Sequence, residues 1–202
     1  MFTGLIREVA SVVSFSGETL TLKAKYQPNI GDSIAVNGAC LTAMRLGQGT
    51  FTVELSPETR AHVAHENFKG QVHIEPAMQV GDRLDGHFVQ GHVDGIGEVV
   101  RTSMLGNALE MEIGMSAEMM VYMIPKGSVA IDGVSLTINA VHENSIGLTL
   151  IPLTLKDTLL ASYQAKRRVN VESDMLVRSL HHMLNRSKQQ GWEEVEHWMR
   201  LY

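Results

Sequence analysis

The stretch GDSIAVNGACLTA, residues 31–43, returns as KGSVAIDGVSLTI at residues 126–138, ninety-five positions later. From Ser33/Ser128 to Ala43/Ile138, five of the eleven aligned pairs are identical. Ile34/Val129, Val36/Ile131, Asn37/Asp132 and Cys40/Ser135 are close exchanges. The spacing is about half of the 202-residue chain, too long for a solenoid unit, so it implies two copies of one small domain. The match runs beyond the hairpin. Pro152 and Thr154 fall in register with Pro57 and Thr59, and Val169-Asn170-Val171-Glu172 with Val72-His73-Ile74-Glu75. Each half, about 90 residues, is long enough to bury its own core.

Within the unit the hydrophobic period is that of strands. TLTLKAKY (19–26) sets Leu20, Leu22 and Ala24 against Thr21, Lys23 and Lys25, and TFTVEL (50–55) alternates in the same way. Asn37-Gly38 and Asp132-Gly133 are turn signals that fold their flanks into hairpins. Strands are expected over 2–13, over 89–100 and in the Val72–Glu75 and Val169–Glu172 blocks. Ser56-Pro57 is expected to cap a short helix reaching about Glu66. Many short strands with Gly-rich turns read as small antiparallel barrels or sandwiches. The tail differs: from Asp174, Met175, Leu176, Leu180, Met183 and Leu184 recur at helical spacing, and Gly191 precedes Trp192 and Trp198. This helix has no counterpart in the first half, so its apolar face is expected to pack between subunits.

Composition narrows the function classes. A net charge of −5 with scattered Lys and Arg leaves no electrostatic footprint for nucleic acid or an anionic membrane. One cysteine, Cys40, cannot form an intrachain disulfide, which fits a reducing compartment, and a cytoplasmic location is expected. The segment MFTGLIREV carries Arg7 and Glu8 and lacks an extended apolar region, so it does not read as a signal peptide. Of the nine histidines, His62/His65, His87/His92 and His181/His182 lie closest in sequence. None has an HExxH or Cys-x2-Cys frame, and no metal site is expected.

The block GDRLDGHFVQGHVDGIG (81–97) holds five glycines and two histidines. It contains no phosphate-cradling motif, but such a stretch lets a flat ligand approach the backbone. Cys40 aligned with Ser135 puts a small nucleophilic or hydrogen-bonding group at the same point of both halves. These read either as core-facing strand residues or as the lining of two equivalent pockets. The methionines read as core filler, and Lys166-Arg167-Arg168 as a solvated loop.

The pieces MFTG, SIAVNGACLT, GDRLDGHFVQGHVDG, KGSVAIDGVSLT, IPLTL and VNVESD, in this order, are similar to those of the alpha-type riboflavin synthases. The resemblance covers nearly the full length. It implies an all-β fold of two similar six-stranded antiparallel Greek-key barrels, at 1–86 and 87–174, with a C-terminal trimerisation helix and tail at 175–202. It further implies dismutation of two 6,7-dimethyl-8-ribityllumazine molecules, the last step of riboflavin biosynthesis. A four-carbon unit passes between them, giving riboflavin and 5-amino-6-ribitylaminouracil without cofactor or metal. A homotrimer is expected, with the working site between the first barrel of one subunit and the second of a neighbour. An association with lumazine synthase is left open. The alternative is a non-catalytic lumazine- or flavin-binding protein.

Carried over by motif, the first-barrel site would use Gly4, Leu5 and Ile6, then Cys40, Leu41 and Thr42. It would be completed by Glu54, Leu55, Ser56, Pro57, Glu58 and Thr59. The second would use Gly91, His92 and Val93, Lys126, and Ser135, Leu136 and Thr137. Thr149, Leu150, Ile151, Pro152, Leu153 and Thr154 would complete it. The implied reaction needs a base for the acidic C7 methyl of one lumazine and a nucleophile adding to the other. His92 with Ser135 and Thr137 is the expected proton-transfer group, and Cys40, or a water it holds, the acceptor-side group. Leu153 departs from the family pattern, which often has a polar or ionisable residue there.

Overall fold

The computed structural model describes residues 1–186. The first half forms β1 (Glu8–Ser16), β2 (Thr19–Lys23), β3 (Ser33–Val36), β4 (Ala39–Gly47), β5 (Thr50–Glu54), α1 (Pro57–His62) and β6 (Gln71–Pro76). The second forms β7 (Gly95–Leu105), β8 (Ala108–Gly114), α2 (Ala117–Met120), β9 (Ser128–Ile131), β10 (Val134–Val141), β11 (Ser145–Leu150), α3 (Pro152–Asp157) and β12 (Arg168–Ser173). Both close into six-stranded antiparallel barrels with one topology, β1-β2-β5-β4-β3-β6 and β7-β8-β11-β10-β9-β12. Register shifts sit at matching places, Val12/Ser14 with Val99/Arg101 and Ala43/Arg45 with Ile138/Ala140. Such bulges raise strand twist where a small barrel must bend. Each barrel encloses its own core. Leu20, Ile34, Phe51 and Ile74 are among those filling the first, and Met111, Ile131, Ile138 and Ile146 among those filling the second.

The two hairpin turns meet back to back. Asn37 and Gly38 have φ 43° and 81°, and Asp132 and Gly133 have 44° and 82°, so each turn places two residues in the left-handed region. A Cβ on Gly38 would lie 2.6 Å from the Gly133 nitrogen, so only glycines permit this approach. Around the contact Phe2, Ala35, Val89 and Ala130 form a small cluster of their own, with Phe2 and Val89 exchanging backbone hydrogen bonds.

Reciprocal side-chain bonds lock the barrels together. Asn170 Nδ2 donates to the Asn37 carbonyl (2.8 Å), and its Oδ1 accepts from the Ala64 N–H (2.7 Å). Its counterpart in the other barrel, His73, bonds at Nδ1 to the Asp132 carbonyl (2.9 Å), and at Nε2 accepts from the Leu159 N–H (2.7 Å). An amide donor opposite Nε2 requires the lone pair there, so Nδ1 carries the proton and the ring is neutral. Burial pushes the His73 pKa down to about 4. Between pH 6.5 and 4 the unfolded chain therefore binds a proton that the folded chain does not, so stability is lost as pH drops through that window. The stability gap between wild type and His73→Asn should narrow by about 3 kcal/mol over that window in urea titrations. A constant gap would contradict the neutral tautomer. The opposite contribution of buried Asp132, whose pKa is raised to about 6, is common to both proteins.

Three local expectations need correction. Strands begin at Glu8 and Gly95 rather than at residues 2 and 89, because the segments before them leave their own barrel. Helix α1 ends at His62, and a separate 3-10 turn, His65–Asn67, follows. Arg167 is not a solvated loop residue: its guanidinium lies 4.0 Å from the Tyr163 ring centroid and 3.8 Å from buried Asp132. Met111, Met119 and Met123 are core residues. Residues 175–186 are helical, with Leu176, Leu180, Met183 and Leu184 exposed. Gly191, Trp192 and Trp198 lie outside the described residues.

Candidate functional site

Strand alternation decides which hairpin side chains can reach a ligand. In β4, Ala39, Leu41 and Ala43 are buried, while Cys40 is half-buried and Thr42 exposed. In β10, Val134, Leu136 and Ile138 are buried, with Ser135 half-buried and Thr137 exposed. Cys40/Thr42 and Ser135/Thr137 therefore share the outward face, and the side chains of Leu41 and Leu136 belong to the barrel cores.

Each outward face is completed by the other half of the chain. The Cys40 N–H donates to the Gly91 carbonyl (2.8 Å), and the Ser135 N–H to the Gly4 carbonyl (2.7 Å). Both glycines have left-handed φ, 78° and 76°. A Cβ on Gly91 would lie 2.5 Å from Cys40 Cβ, and one on Gly4 2.6 Å from Ser135 Cβ. Beyond them, Val93 packs against the first-barrel core and Ile6 against the second. Buried carboxylates hold both crossing segments. Glu75 accepts from the Thr3 N–H and hydroxyl (both 2.7 Å) and the Gly4 N–H (2.9 Å). Glu172 accepts from the N–H groups of Gln90 (2.7 Å) and Gly91 (2.9 Å). Burial raises the pKa of both, to about 7 for Glu172.

The expected grouping is thereby reversed. Gly4, Leu5 and Ile6 lie against the second barrel, and Gly91, His92 and Val93 against the first. His92 stands with Cys40, not with Ser135 and Thr137. The residue beside Ser135 is His87, whose Nδ1 is 2.7 Å from Ser135 Oγ. Burial lowers the His87 pKa, favouring neutral imidazole, and its buried Nε2 has no hydrogen-bond partner among the described residues.

The Cys40 side opens on a cleft of about 590 Å3 lined by Cys40, Glu58, Thr59, His62, Gly91, His92, Val93 and Asp94. Burial pushes the Cys40 thiol up, so it stands as a neutral hydrogen-bonding group rather than a ready thiolate. His62 Nδ1 lies 2.9 Å from the Glu58 carbonyl, which can only accept, so neutral His62 carries its lone pair on Nε2. Ser56 caps α1 through the Thr59 N–H at 3.0 Å. The matching edge on the Ser135 side has no side-chain cap and exposes Ile151 (57%) and Leu153 (62%). Glu54, which ends β5, and Thr149, one residue before the end of β11, are exposed, whereas Leu55 and Leu150 are core residues; Pro57 and Pro152 open the helices. Thr154 is half-buried on α3. Lys126 is exposed with φ 66°, a left-handed geometry unusual for lysine.

The sequence reading missed His87, Glu75 and Glu172 as site residues. The two glutamates were visible as a matched pair in VHIE and VNVE, whereas His87 sits in the connection between barrels and has no mate. Among the described residues, no group of three His, Cys, Asp or Glu side chains is arranged to hold a metal ion.

The lumazine binding domain family model matches the chain twice, at residues 3–77 and 90–174. Riboflavin synthase from Photobacterium leiognathi is 41% identical over 194 residues, 91% of this chain and 89% of that protein. The Bacillus subtilis (strain 168) riboflavin synthase is 36% identical, covering 96% and 95%. Among solved structures, LumP complexed with riboflavin superposes with TM-score 0.78 at 17% identity, over 86% of this chain and 99% of that one. LumP with 6,7-dimethyl-8-(1'-D-ribityl) lumazine gives 0.74 at 18% identity, over the same shares.

Proposed function

The chain belongs to the riboflavin synthase family of duplicated lumazine-binding domains, and on that premise we propose how its two half-sites divide the work. The protein is an enzyme that converts two molecules of 6,7-dimethyl-8-ribityllumazine into riboflavin and 5-amino-6-ribitylaminouracil. A four-carbon unit leaves one lumazine and joins the other. The observation that carries the reading is the pair of equivalent but chemically different half-sites, one at Cys40 with His92 and one at Ser135 with His87. A dismutation between identical molecules needs two holding sites that treat them differently, and orientation of the pair supplies much of the acceleration. A protein that held only one chromophore would have no need for polar side chains on both outward hairpin faces, as at Cys40/Thr42 and Ser135/Thr137.

On the Cys40 side, the neutral thiol and the exposed His92 imidazole flank one cleft. Cys40 holds or delivers the nucleophile that adds to one lumazine, and His92 moves the proton in the same half-site. On the Ser135 side, the His87–Ser135 pair and Thr137 take the partner lumazine, with hydroxyls suited to the ribityl chain. Placing His92 with Cys40 revises its role: it serves the adding nucleophile rather than a base beside Ser135. The two half-sites meet between subunits of a homotrimer, in the cytoplasm, with the helix at 175–186 contributing to assembly. No cofactor enters the scheme.

Turnover of the lumazine by wild type, Cys40→Ser and His92→Gln tests these roles. Each variant should lose about a hundredfold or more in kcat, the lower end of what a positioned proton-transfer group contributes. Near-wild-type rates for both would remove them from the mechanism.

A further inference from the structure

Within residues 175–186, Arg178 reaches from the C-terminal helix to the Cys40 half-site. Arg178 Nη2 donates to Gln90 Oε1 at 2.8 Å, and its Nη1 to Asp94 Oδ1. Gln90 and Asp94 bracket Gly91-His92-Val93, so one guanidinium grips both ends of the segment that covers Cys40. The grip is itself anchored. Asp94 Oδ2 accepts from the Ser173 N–H (2.7 Å) and hydroxyl (2.6 Å), and the Asp94 N–H donates to the Val171 carbonyl (2.9 Å). Arg178 and Asp94 side chains are 25% and 19% exposed, so the pair is sheltered from full solvent screening. A planar fork with fixed donor directions holds two acceptors in one geometry, which a lysine ammonium does less well.

Among the described residues, the Ser135 half-site has no such device. Thr3 occupies the place of Gln90 and spends its hydroxyl on Glu75 within its own half, and no helix follows β6 in the way that 175–186 follow β12. The two half-sites therefore differ in what holds them.

Resting on the functional reading above, we propose that Arg178 is a positioning residue. It fixes the Gln90–Asp94 segment, and with it His92, over Cys40, making this half-site and not its mate depend on the docked C-terminal helix. Arg178 touches no reacting atom in this scheme.

Cys40 is the sole cysteine, so its alkylation by iodoacetamide in the full-length protein reports on the covering segment without any turnover. Arg178→Gln should raise the alkylation rate about tenfold, the effect of losing a charge-assisted hydrogen-bond pair. Arg178→Lys should recover part of the protection. Arg101→Gln, which removes the exposed Arg101–Glu112 pair of the second barrel, should leave the rate unchanged. Riboflavin formation by Arg178→Gln should drop in kcat, with recovery again in Arg178→Lys. An unchanged alkylation rate in Arg178→Gln, or acceleration in Arg101→Gln as large, would overturn the proposal. Faster alkylation in a protein that makes no riboflavin would sustain the positioning role and sink the enzymatic reading instead.

Discussion

Gly91→Ala should slow riboflavin formation about a hundredfold while leaving most of both barrels folded. Two effects add. At φ 78° a Cβ-bearing residue is strained by about 1–2 kcal/mol. The added Cβ would also sit 2.5 Å from Cys40 Cβ and 2.9 Å from the Cys40 nitrogen, and those backbone and Cβ atoms cannot rotate away. Relief requires the segment to lift, breaking the Cys40 N–H to Gly91 carbonyl bond and moving His92 off the cleft. The combined cost is about 3–5 kcal/mol of stability, at the upper end for a single substitution. A displacement of about 1 Å at a site of this kind costs on the order of a hundredfold in rate. Gly4→Ala should act alike on the Ser135 side, where its Cβ would meet Ser135 Cβ at 2.6 Å. Gly17→Ala separates the two causes. Gly17 shares a left-handed φ, 60°, but has nothing within 4 Å of its added Cβ, so it should cost about 1 kcal/mol and no activity. Urea unfolding and turnover on the three variants check this; equal effects at Gly17 and Gly91 would deny that the crossing segment is tightly seated.

The second large effect is expected at the buried carboxylates. Glu172→Ala leaves the N–H groups of Gln90 and Gly91 without acceptors, and removes a side chain from a position 3% exposed. Glu75→Ala orphans three donors, the Thr3 N–H and hydroxyl and the Gly4 N–H. Each lost charge-assisted bond with a stranded donor costs about 1–3 kcal/mol, so each variant should lose about 3–5 kcal/mol in denaturant unfolding. The raised pKa of these carboxylates reduces the figure, because part of their ionisation cost is recovered on removal. The two variants should differ in ligand binding. Glu172→Ala should weaken riboflavin bound beside Cys40, and Glu75→Ala that bound beside Ser135, so fluorescence titrations should each lose a different class of site. Loss of the same class in both would contradict the assignment of segments to half-sites.

What the sequence made legible was local. The period-2 pattern and the Asn37-Gly38 and Asp132-Gly133 turns identify the hairpins within a dozen residues, and the repeat identifies the duplication. The six-stranded barrels and their shared topology came with the family resemblance. The crossing segments were not legible in their placement. MFTGL and GHFVQGHV have apolar residues that suit a strand, but their partners, Ser135 and Cys40, lie far along the chain and no local period points to them. The motifs alone therefore set the residues around Gly4 and Gly91 with their own barrels, and His92 beside Ser135, whereas the fold exchanges them. A run of three basic residues normally faces water, so the sequence alone leaves Arg167 in a solvated loop. Here Asp132, buried by the meeting of the two turns, draws one of them inward.

Two unequal half-sites acting on two copies of one substrate fix the stoichiometry of the reaction. Quantifying lumazine consumed against riboflavin and 5-amino-6-ribitylaminouracil formed by the purified protein tests this most directly. The expected result is two lumazines lost for each riboflavin and each pyrimidine gained. Lumazine that binds beside Cys40 and Ser135 and is recovered unchanged, with no riboflavin formed, would contradict it.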